Sequence, residues 1–325
     1  MTEQPKLENK EQKSFLDNWL ETEFNADYDA QVKTLRNLGL LEILPDIDNY
    51  GIRGVDGNEY PIPTKQQIID EIRNNPEKYS GKMKYDEFTK IQLTPFALPL
   101  ERLAMTLESE LLEHHSKGKL FAFNETEFLP ERPLKLGVKN PFDIASTWIN
   151  SRAEEGKRGA DVTGDCAYHV TAFARVNHGG HTKTEILAAQ AGLSFAGWEV
   201  KLLENDQSGF GFKSVRIPPE RISLAGFLAA FKFGLRGEQG LTNEDWITKF
   251  LIRLERKNQV IDRSFDRKLY PLLGSFNLGL QQISASTCPF SRLDSTVSFR
   301  LCGVDPNHVV DYIRTAVPIG PELRF

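Results

Sequence analysis

Four side chains that can bind a soft metal ion or take part in nucleophilic catalysis lie within the stretch from Gly164 to Glu185. They are Cys166, His169, His178 and His181. On a helix, Cys166 and His169 would share one face. The four residues would then read C-x2-H-x8-H-x2-H, and zinc accepts both thiolate and imidazole ligands. The residue types and their spacing therefore raise the hypothesis of a metal centre.

The hydrophobic pattern of this stretch is that of a strand rather than a helix. Apolar residues recur at every second position, namely Tyr168, Val170, Ala172, Ala174 and Val176. Because successive side chains of a strand point to opposite faces, Cys166 and His169 are expected on opposite sides and cannot bind one ion locally. The pattern favours an inert buried thiol with surface histidines. We therefore predict no metal site, with His178 and His181 left as candidate ligands.

A cysteine hydrolase is the catalytic alternative for the same residues. Cys166 would be the nucleophile, and its base would be one of His169, His178, His181 and the distant His308. A helix directly after the cysteine would lower the thiol pKa, but the alternating pattern predicts none there. The chain also lacks the HExxH, GxSxG, GxGxxG and phosphate-loop motifs. An enzyme is therefore not the favoured interpretation, and we expect no cofactor.

The end of the same stretch predicts an anion-binding loop. Thr182 and Glu185 have the spacing of a capping box, which predicts that a helix begins there and ends near Gly192. Backbone N–H groups at a helix start attract anions, and glycines allow a tight turn before it. The candidate residues for such a site are Arg175, His178, Gly179, Gly180 and His181.

A basic helix is the second candidate surface. Residues 213–268 contain twelve Lys or Arg against seven Asp or Glu, whereas residues 1–50 contain five against eleven. Within the basic region, Lys249, Arg253, Arg256 and Lys257 lie on the polar side of an amphipathic helix. This pattern is compatible with phosphate contacts to a nucleic acid, and equally with an ordinary solvated face.

Composition limits the class of protein. The chain has 325 residues, 40% of them hydrophobic, and a formal net charge of −5, which does not require nucleic acid or an anionic membrane as partner. No apolar run is long enough to span a bilayer, and the first residues do not resemble a signal peptide. Cys166, Cys288 and Cys302 form no CxxC pair, so no disulfide framework is expected. These features predict a cytoplasmic protein with no membrane contact.

The first half of the chain is predicted to be mainly helical. Apolar spacing indicates helices over about 15–24, 28–38 and 100–117, and Thr64 is placed to cap another. Asp56-Gly57 predicts a hairpin. His114 and His115 fall in the last turn of the third helix, where a positive charge is favoured by the helix macrodipole.

Strands dominate the predictions for the second half. Residues 295–303 alternate between apolar and polar, and 197–205 is expected to pair with 209–217 as an antiparallel hairpin. Thr242 and Asp245 form a second capping box before a helix. Asp305-Pro306 predicts the start of a last helix that would bury Ile313.

The combined prediction is an α+β protein with a helical N-terminal region followed by an antiparallel sheet packed with helices. We expect a disordered tail (1–12), a mainly helical domain (13–123), a linker (124–142) and an α+β domain (143–325). Absent catalytic motifs, and enough Phe and Trp to supply interface anchors, favour a non-catalytic binding or assembly component of a larger intracellular complex, through protein partners or self-assembly. A hydrolase centred on Cys166 and a nucleic-acid-associated protein using 213–268 are the alternatives.

Overall fold

Helices and strands are intermixed up to the last helix, and only strands follow it among the described residues. The computed structural model describes residues 15–45, 49–85, 88–122, 133–136, 142–144, 166–168, 180–204, 213–216, 237–261, 263–264, 270–277, 282–289, 296–297, 299–304, 312–321 and 323. The helices are α1 (Asn25–Asn37, preceded by a helical segment 15–19 and a π-helical turn Leu20–Phe24), α2 (Lys65–Asn74), α3 (Pro76–Tyr85), α4 (Leu100–Ser116), α5 (Lys183–Ala189) and α6 (Asn243–Lys257).

The strands fall into a group before α6 and a group after it. The first group is β1 (Glu42–Leu44), β2 (Asn49–Arg53), β3 (Glu59–Pro61), β4 (Phe88–Thr94), β5 (Phe121–Ala122), β6 (Lys135–Leu136), β7 (Phe142–Ile144), β8 (Cys166–Tyr168), β9 (Glu199–Glu204), β10 (Lys213–Arg216) and β11 (Gln239–Gly240). The second group is β12 (Gln259–Val260), β13 (Arg263–Ser264), β14 (Tyr270–Asn277), β15 (Gln282–Pro289), β16 (Thr296–Val297), β17 (Phe299–Val304) and β18 (Tyr312–Ile319). The predicted α+β class is confirmed.

The helices predicted over about 15–24 and 28–38 form one continuous helical stretch, because the π-helical turn Leu20–Phe24 runs directly into α1. Trp19, Leu20 and Phe24 are buried at the helical spacing that predicted them. α2 begins with a capping box in which the Thr64 hydroxyl accepts a hydrogen bond from the Gln67 N–H. Short-range signals of this kind need no distant partner, which explains why they can be read from the sequence.

The predicted hairpin at Asp56-Gly57 is confirmed. β2 and β3 pair antiparallel, and Gly57 adopts a positive φ of 83° in the connecting turn. The Asp56 carboxylate accepts a hydrogen bond from the Asn58 N–H at 3.1 Å, a local bond that favours the turn. β1 adds to β2, so β3 is an end strand of this three-stranded sheet.

The central sheet has the strand order β10-β18-β9-β4, with β11 also on β18. The predicted hairpin between β9 and β10 is therefore wrong, because β18 hydrogen-bonds to both strands and separates them. The prediction that a last helix buries Ile313 is also wrong, since Ile313 lies in β18. The β-branched residues Ile313, Thr315, Val317 and Ile319 alternate along β18, a pattern that favours a strand.

A second large sheet has the order β7-β17-β15-β14-β8, with β13 on β15. β16 and β17 confirm the strand predicted over residues 295–303. β8 contains Cys166 and pairs antiparallel with β14, in agreement with the strand interpretation for residues 166–168.

α6 lies among the elements of both halves of the chain. It begins at the predicted capping box of Thr242 and Asp245, and it ends at Asn258, which adopts a left-handed conformation. Trp246 and Phe250 are fully buried, and full burial of such a side chain contributes about 1.5–3 kcal/mol. β4 pairs with β9 across the predicted linker. The domain division at 124–142 stays a prediction, and most of that linker lies outside the described residues.

None of the helices in the described ranges has both the length and the apolar content required to cross a lipid bilayer.

Candidate functional site

A surface groove of about 670 Å³ lies between β3 and α5. One wall is formed by β3 and the turn that precedes it, including Glu59, Tyr60 and Pro61. The other wall is formed by α5 and the loop after it, including Leu187 and Phe195. Its volume lies within the range of small-ligand and peptide-binding clefts. This groove is the candidate binding site.

The α5 wall is positioned by a capping box that the sequence predicted. The Thr182 hydroxyl accepts from the Glu185 N–H at 3.2 Å, and the Glu185 carboxylate accepts from the Thr182 N–H at 2.8 Å. The helix ends at Gln190, whose side-chain oxygen accepts from the Gly197 N–H at 2.9 Å. This bond ties the loop after α5 back to the helix.

The loop packs against β3 because residue 197 is glycine. Gly197 has a φ of +76°, and a Cβ atom there would lie 2.3 Å from Cγ of Tyr60. Phe195 also has a positive φ, of 65°, although its side chain is buried. Backbone strain of this kind in a non-glycine residue costs about 1–3 kcal/mol and is often found at ligand sites.

The Tyr60 hydroxyl is held by a carboxylate at the edge of the groove. It donates a 2.6 Å hydrogen bond to Asp56, and the Asn58 side chain donates to the same oxygen at 2.8 Å. Burial, together with the hydrogen bond to Asp56, raises the pKa of Tyr60 to about 12. Tyr60 is therefore neutral at physiological pH and contributes an aromatic, hydrogen-bonded wall.

Glu59 has one carboxylate oxygen without a partner. Its Oε1 lies 2.9 Å from the Arg53 guanidinium, whereas its Oε2 is buried and accepts no hydrogen bond from the described residues. An unsatisfied buried acceptor costs about 1–3 kcal/mol, and more when it is charged. A ligand that donates to this oxygen would remove that cost.

The charges of the groove lining favour a cationic ligand. Among the described residues, its lining contains the carboxylates of Asp56 and Glu59 but no histidine, cysteine, lysine or arginine. A cationic group would therefore have two acidic neighbours and apolar walls there.

The residues predicted for chemistry in the opening stretch are only partly described. Cys166 lies in β8, while His169, Arg175, His178, Gly179 and His308 lie outside the described residues. His181 pairs with Tyr168 through backbone hydrogen bonds of 2.8 and 3.0 Å, and Gly180 precedes it. The Nδ1 atom of His181 is 3.9 Å from the Glu185 carboxylate. The metal, nucleophile and anion sites stay predictions.

The predicted basic face of α6 lies partly against α1. The Arg256 guanidinium is 3.0 Å from Asp27, and the Arg253 side chain donates to Gln259. Lys249 is half-buried, and burial lowers its pKa to about 8. Lys257 is exposed at the end of the helix. The structure thus places these four cations on one helix but in different environments, and their role in nucleic-acid binding stays a prediction.

Sequence reasoning missed a buried polar network at the start of α6. The Lys201 ammonium contacts the carboxylates of Asp245 and Glu199, and the Thr94 hydroxyl donates to Asp245 at 2.7 Å. Burial alone would lower the pKa of Lys201, but the two adjacent carboxylates raise it above its ordinary range. A run of polar residues at a helix start normally indicates a solvated cap, so nothing in the local pattern revealed this burial.

No protein-family model, curated protein or solved structure matches this chain. Function is therefore inferred from the geometry and chemistry of the site.

Proposed function

We propose that the protein is a non-catalytic binding component of a larger intracellular assembly, and that its groove takes an extended polypeptide segment carrying a lysine or arginine side chain. The observation that supports this proposal is the buried, unpartnered Oε2 atom of Glu59 in the groove lining. A charge-assisted hydrogen bond from a cation would satisfy that oxygen.

The apolar walls complement such a side chain. Lysine and arginine have long aliphatic stems that pack on apolar surface while the charged head finds a polar partner. Tyr60, Pro61 and Phe195 offer that surface beside Glu59, and Asp56 adds a second negative charge. Charge complementarity therefore favours a cationic occupant over an anionic or neutral one.

An extended backbone is the conformation that this wall favours. β3 has a single strand neighbour, β2, within the described parts of the sheet. Peptides commonly bind as added strands beside such an end strand, with side chains entering adjacent pockets. The proposed partner is accordingly a flexible basic segment of another protein.

Fluorescence polarisation with short peptides tests the proposal. Peptides with a central arginine or lysine are expected to bind, and the same peptides with citrulline or norleucine are expected to bind at least about tenfold more weakly. The substitution Glu59→Gln should cause a similar loss, whereas Glu42→Gln, on an exposed position of β1 in the same sheet, should not.

Two results would overturn the proposal. One is equal binding of charged and neutral peptides to the native protein. The other is unchanged binding of arginine peptides by Glu59→Gln when circular dichroism shows that the variant is folded.

A further inference from the structure

We infer that the protein binds a divalent transition-metal ion, such as zinc, between the C-terminal ends of α4 and α6. The ligands are Glu110 and His114 of α4 and Glu255 of α6. One ligand atom from each of the three lies within 4.8 Å of the other two. This site is separate from the groove and does not depend on the function proposed for it.

The two helices bring the three side chains together for simple reasons. Glu110 and His114 are four residues apart, so they share one face of α4. β5 follows α4 and β12 follows α6, and these strands pair parallel, with the Phe121 N–H donating to the Asn258 carbonyl at 2.9 Å. Both helices therefore end at the same side of the molecule, where Glu255 meets His114.

The distances suit a small coordination sphere. The Nε2 atom of His114 is 3.2 Å from Oε1 of Glu255 and 4.0 Å from Oε2 of Glu110. Zinc binds nitrogen and oxygen at about 2.0–2.2 Å, which separates the ligand atoms of a tetrahedron by about 3.4 Å. Small side-chain rotations bring the three atoms to that separation. The side chains are 12–25% exposed, so a water molecule can reach the fourth position.

The electrostatics of the cluster favour a cation. The carboxylates of Glu110 and Glu255 lie close together, so their negative charges both act on a cation placed between them. Lys117, the nearby cation, pairs with Glu113 instead. Both helices also end here, and the partial negative charge of a helix C-terminus stabilises positive charge.

The histidine supports the same conclusion. The Nε2 atom of His114 faces the two carboxylates, whereas its Nδ1 atom is buried and has no hydrogen-bond partner among the described residues. A metal ion held between this nitrogen and the two carboxylates would use all three groups as ligands. The macrodipole role predicted for His114 does not account for its contact with Glu255.

Metal titration of the chelator-treated full chain tests the inference. Calorimetry with Zn²⁺ is expected to show one site, and Co²⁺ should give the visible absorption of a tetrahedral nitrogen and oxygen site. The substitutions His114→Gln and Glu255→Gln should each weaken binding at least about tenfold. His115→Gln, the adjacent histidine in the same helical turn, is the matched control and should bind as the native chain does.

The response of the melting temperature to Zn²⁺ distinguishes a metal site from three side chains that only stabilise the fold. Zn²⁺ should raise the melting temperature of the native chain and of His115→Gln but not that of His114→Gln, whatever the stability of each variant without metal. Absence of binding by the native chain, or equal binding by His114→Gln and His115→Gln, would overturn the inference.

Discussion

Two helices of this protein begin with the same capping motif in opposite surroundings. At α5, Thr182 and Glu185 form a reciprocal capping box at the surface, with the Glu185 side chain 61% exposed. At α6, Thr242 and Asp245 form the same arrangement, yet both residues are completely buried. An identical local hydrogen-bond pattern thus occurs once in water and once in the protein core.

The buried capping box of α6 makes tertiary contacts that have no counterpart, among the described residues, at the exposed capping box of α5. Asp245 accepts from the Thr242 N–H at 2.9 Å and from the Thr94 hydroxyl, and it contacts the Lys201 ammonium. The Thr242 hydroxyl also donates to Glu199 at 3.1 Å. The capping box therefore marks the start of both helices, whereas its surroundings decide how much of the free energy of unfolding depends on it.

Removing the acidic residue of each capping box should give the largest difference in stability between the two helices. Asp245→Ala leaves Lys201 buried without one of its two carboxylate neighbours, and breaking a buried ion pair in this way costs about 3–5 kcal/mol. Glu185→Ala removes a solvated cap and should cost at most about 1 kcal/mol. Chemical denaturation of both variants measures the difference. Equal losses would show that burial adds nothing to the cap.

A buried ion pair joins the two capped helices, α5 and α6. Lys183, the first residue of α5, lies 2.8 Å from the Glu244 carboxylate in the first turn of α6, and the Tyr168 hydroxyl donates to the same oxygen at 2.8 Å. Lys183→Met should cost about 3 kcal/mol, because it leaves Glu244 buried opposite an apolar group.

A double-mutant cycle separates the pair from its surroundings. The double variant Lys183→Met with Glu244→Gln should be less destabilised than the sum of the single variants, by about 1–3 kcal/mol. Strict additivity, measured by urea unfolding, would mean that the two charges do not interact.

The loop after the exposed helix α5 also contains one glycine that is constrained by a residue distant in the chain. Gly192 and Gly197 follow α5 with φ of +77° and +76°, but only at Gly197 would a Cβ atom collide with Tyr60. Alanine at either position adopts an unfavourable backbone conformation, at a cost of about 1 kcal/mol. The collision should lower the free energy of unfolding of Gly197→Ala by roughly a further 1–2 kcal/mol. Thermal unfolding of the pair isolates this steric contribution.

The smallest expected effect is the pH dependence of the exposed cap. Hydrogen bonds from the Thr182 backbone and hydroxyl lower the pKa of Glu185. A carboxyl group with a lowered pKa in the folded state contributes stability above its unfolded pKa and loses it as the pH falls through its folded pKa. The stability difference between the native chain and Glu185→Gln should therefore shrink between about pH 5 and pH 3. A constant difference would contradict this assignment.

Much of the local structure was predictable because its causes lie within a few residues. The capping boxes at Thr182 and Thr242 were predicted from hydroxyl and acceptor residues three positions apart, and Thr64 was predicted as a cap. The hairpin at Asp56-Gly57 depends on a turn that glycine permits. In these places the residue types themselves provide the hydrogen bonds.

The strand order was not predictable in the same way. The sequence suggested that β9 and β10 pair because they are neighbours in the chain, but β18, about a hundred residues away, lies between them. A short connection favours a hairpin only when no distant strand offers a better partner for both edges. Pairing over such separations depends on the packing of the complete core.

The candidate groove was also not predicted from the sequence, and the cause is physical. Its walls come from β3 and α5, which are more than a hundred residues apart, and Glu59 looks like an ordinary polar strand residue. The His114 cluster likewise required Glu255 from another helix. No spacing rule connects such residues, so only their positions in the fold reveal them.

The sequence by itself determined the capped starts of α2, α5 and α6, the turn at Asp56-Gly57 and the α+β class, because propensity, capping and alternation act over short distances. The tertiary structure alone decided which polar residues are buried, which strands are neighbours and which acidic groups meet. Burial and long-range pairing depend on the whole core, and so the same Thr-x-x-acid motif became a surface cap at α5 and the anchor of a charged network at α6.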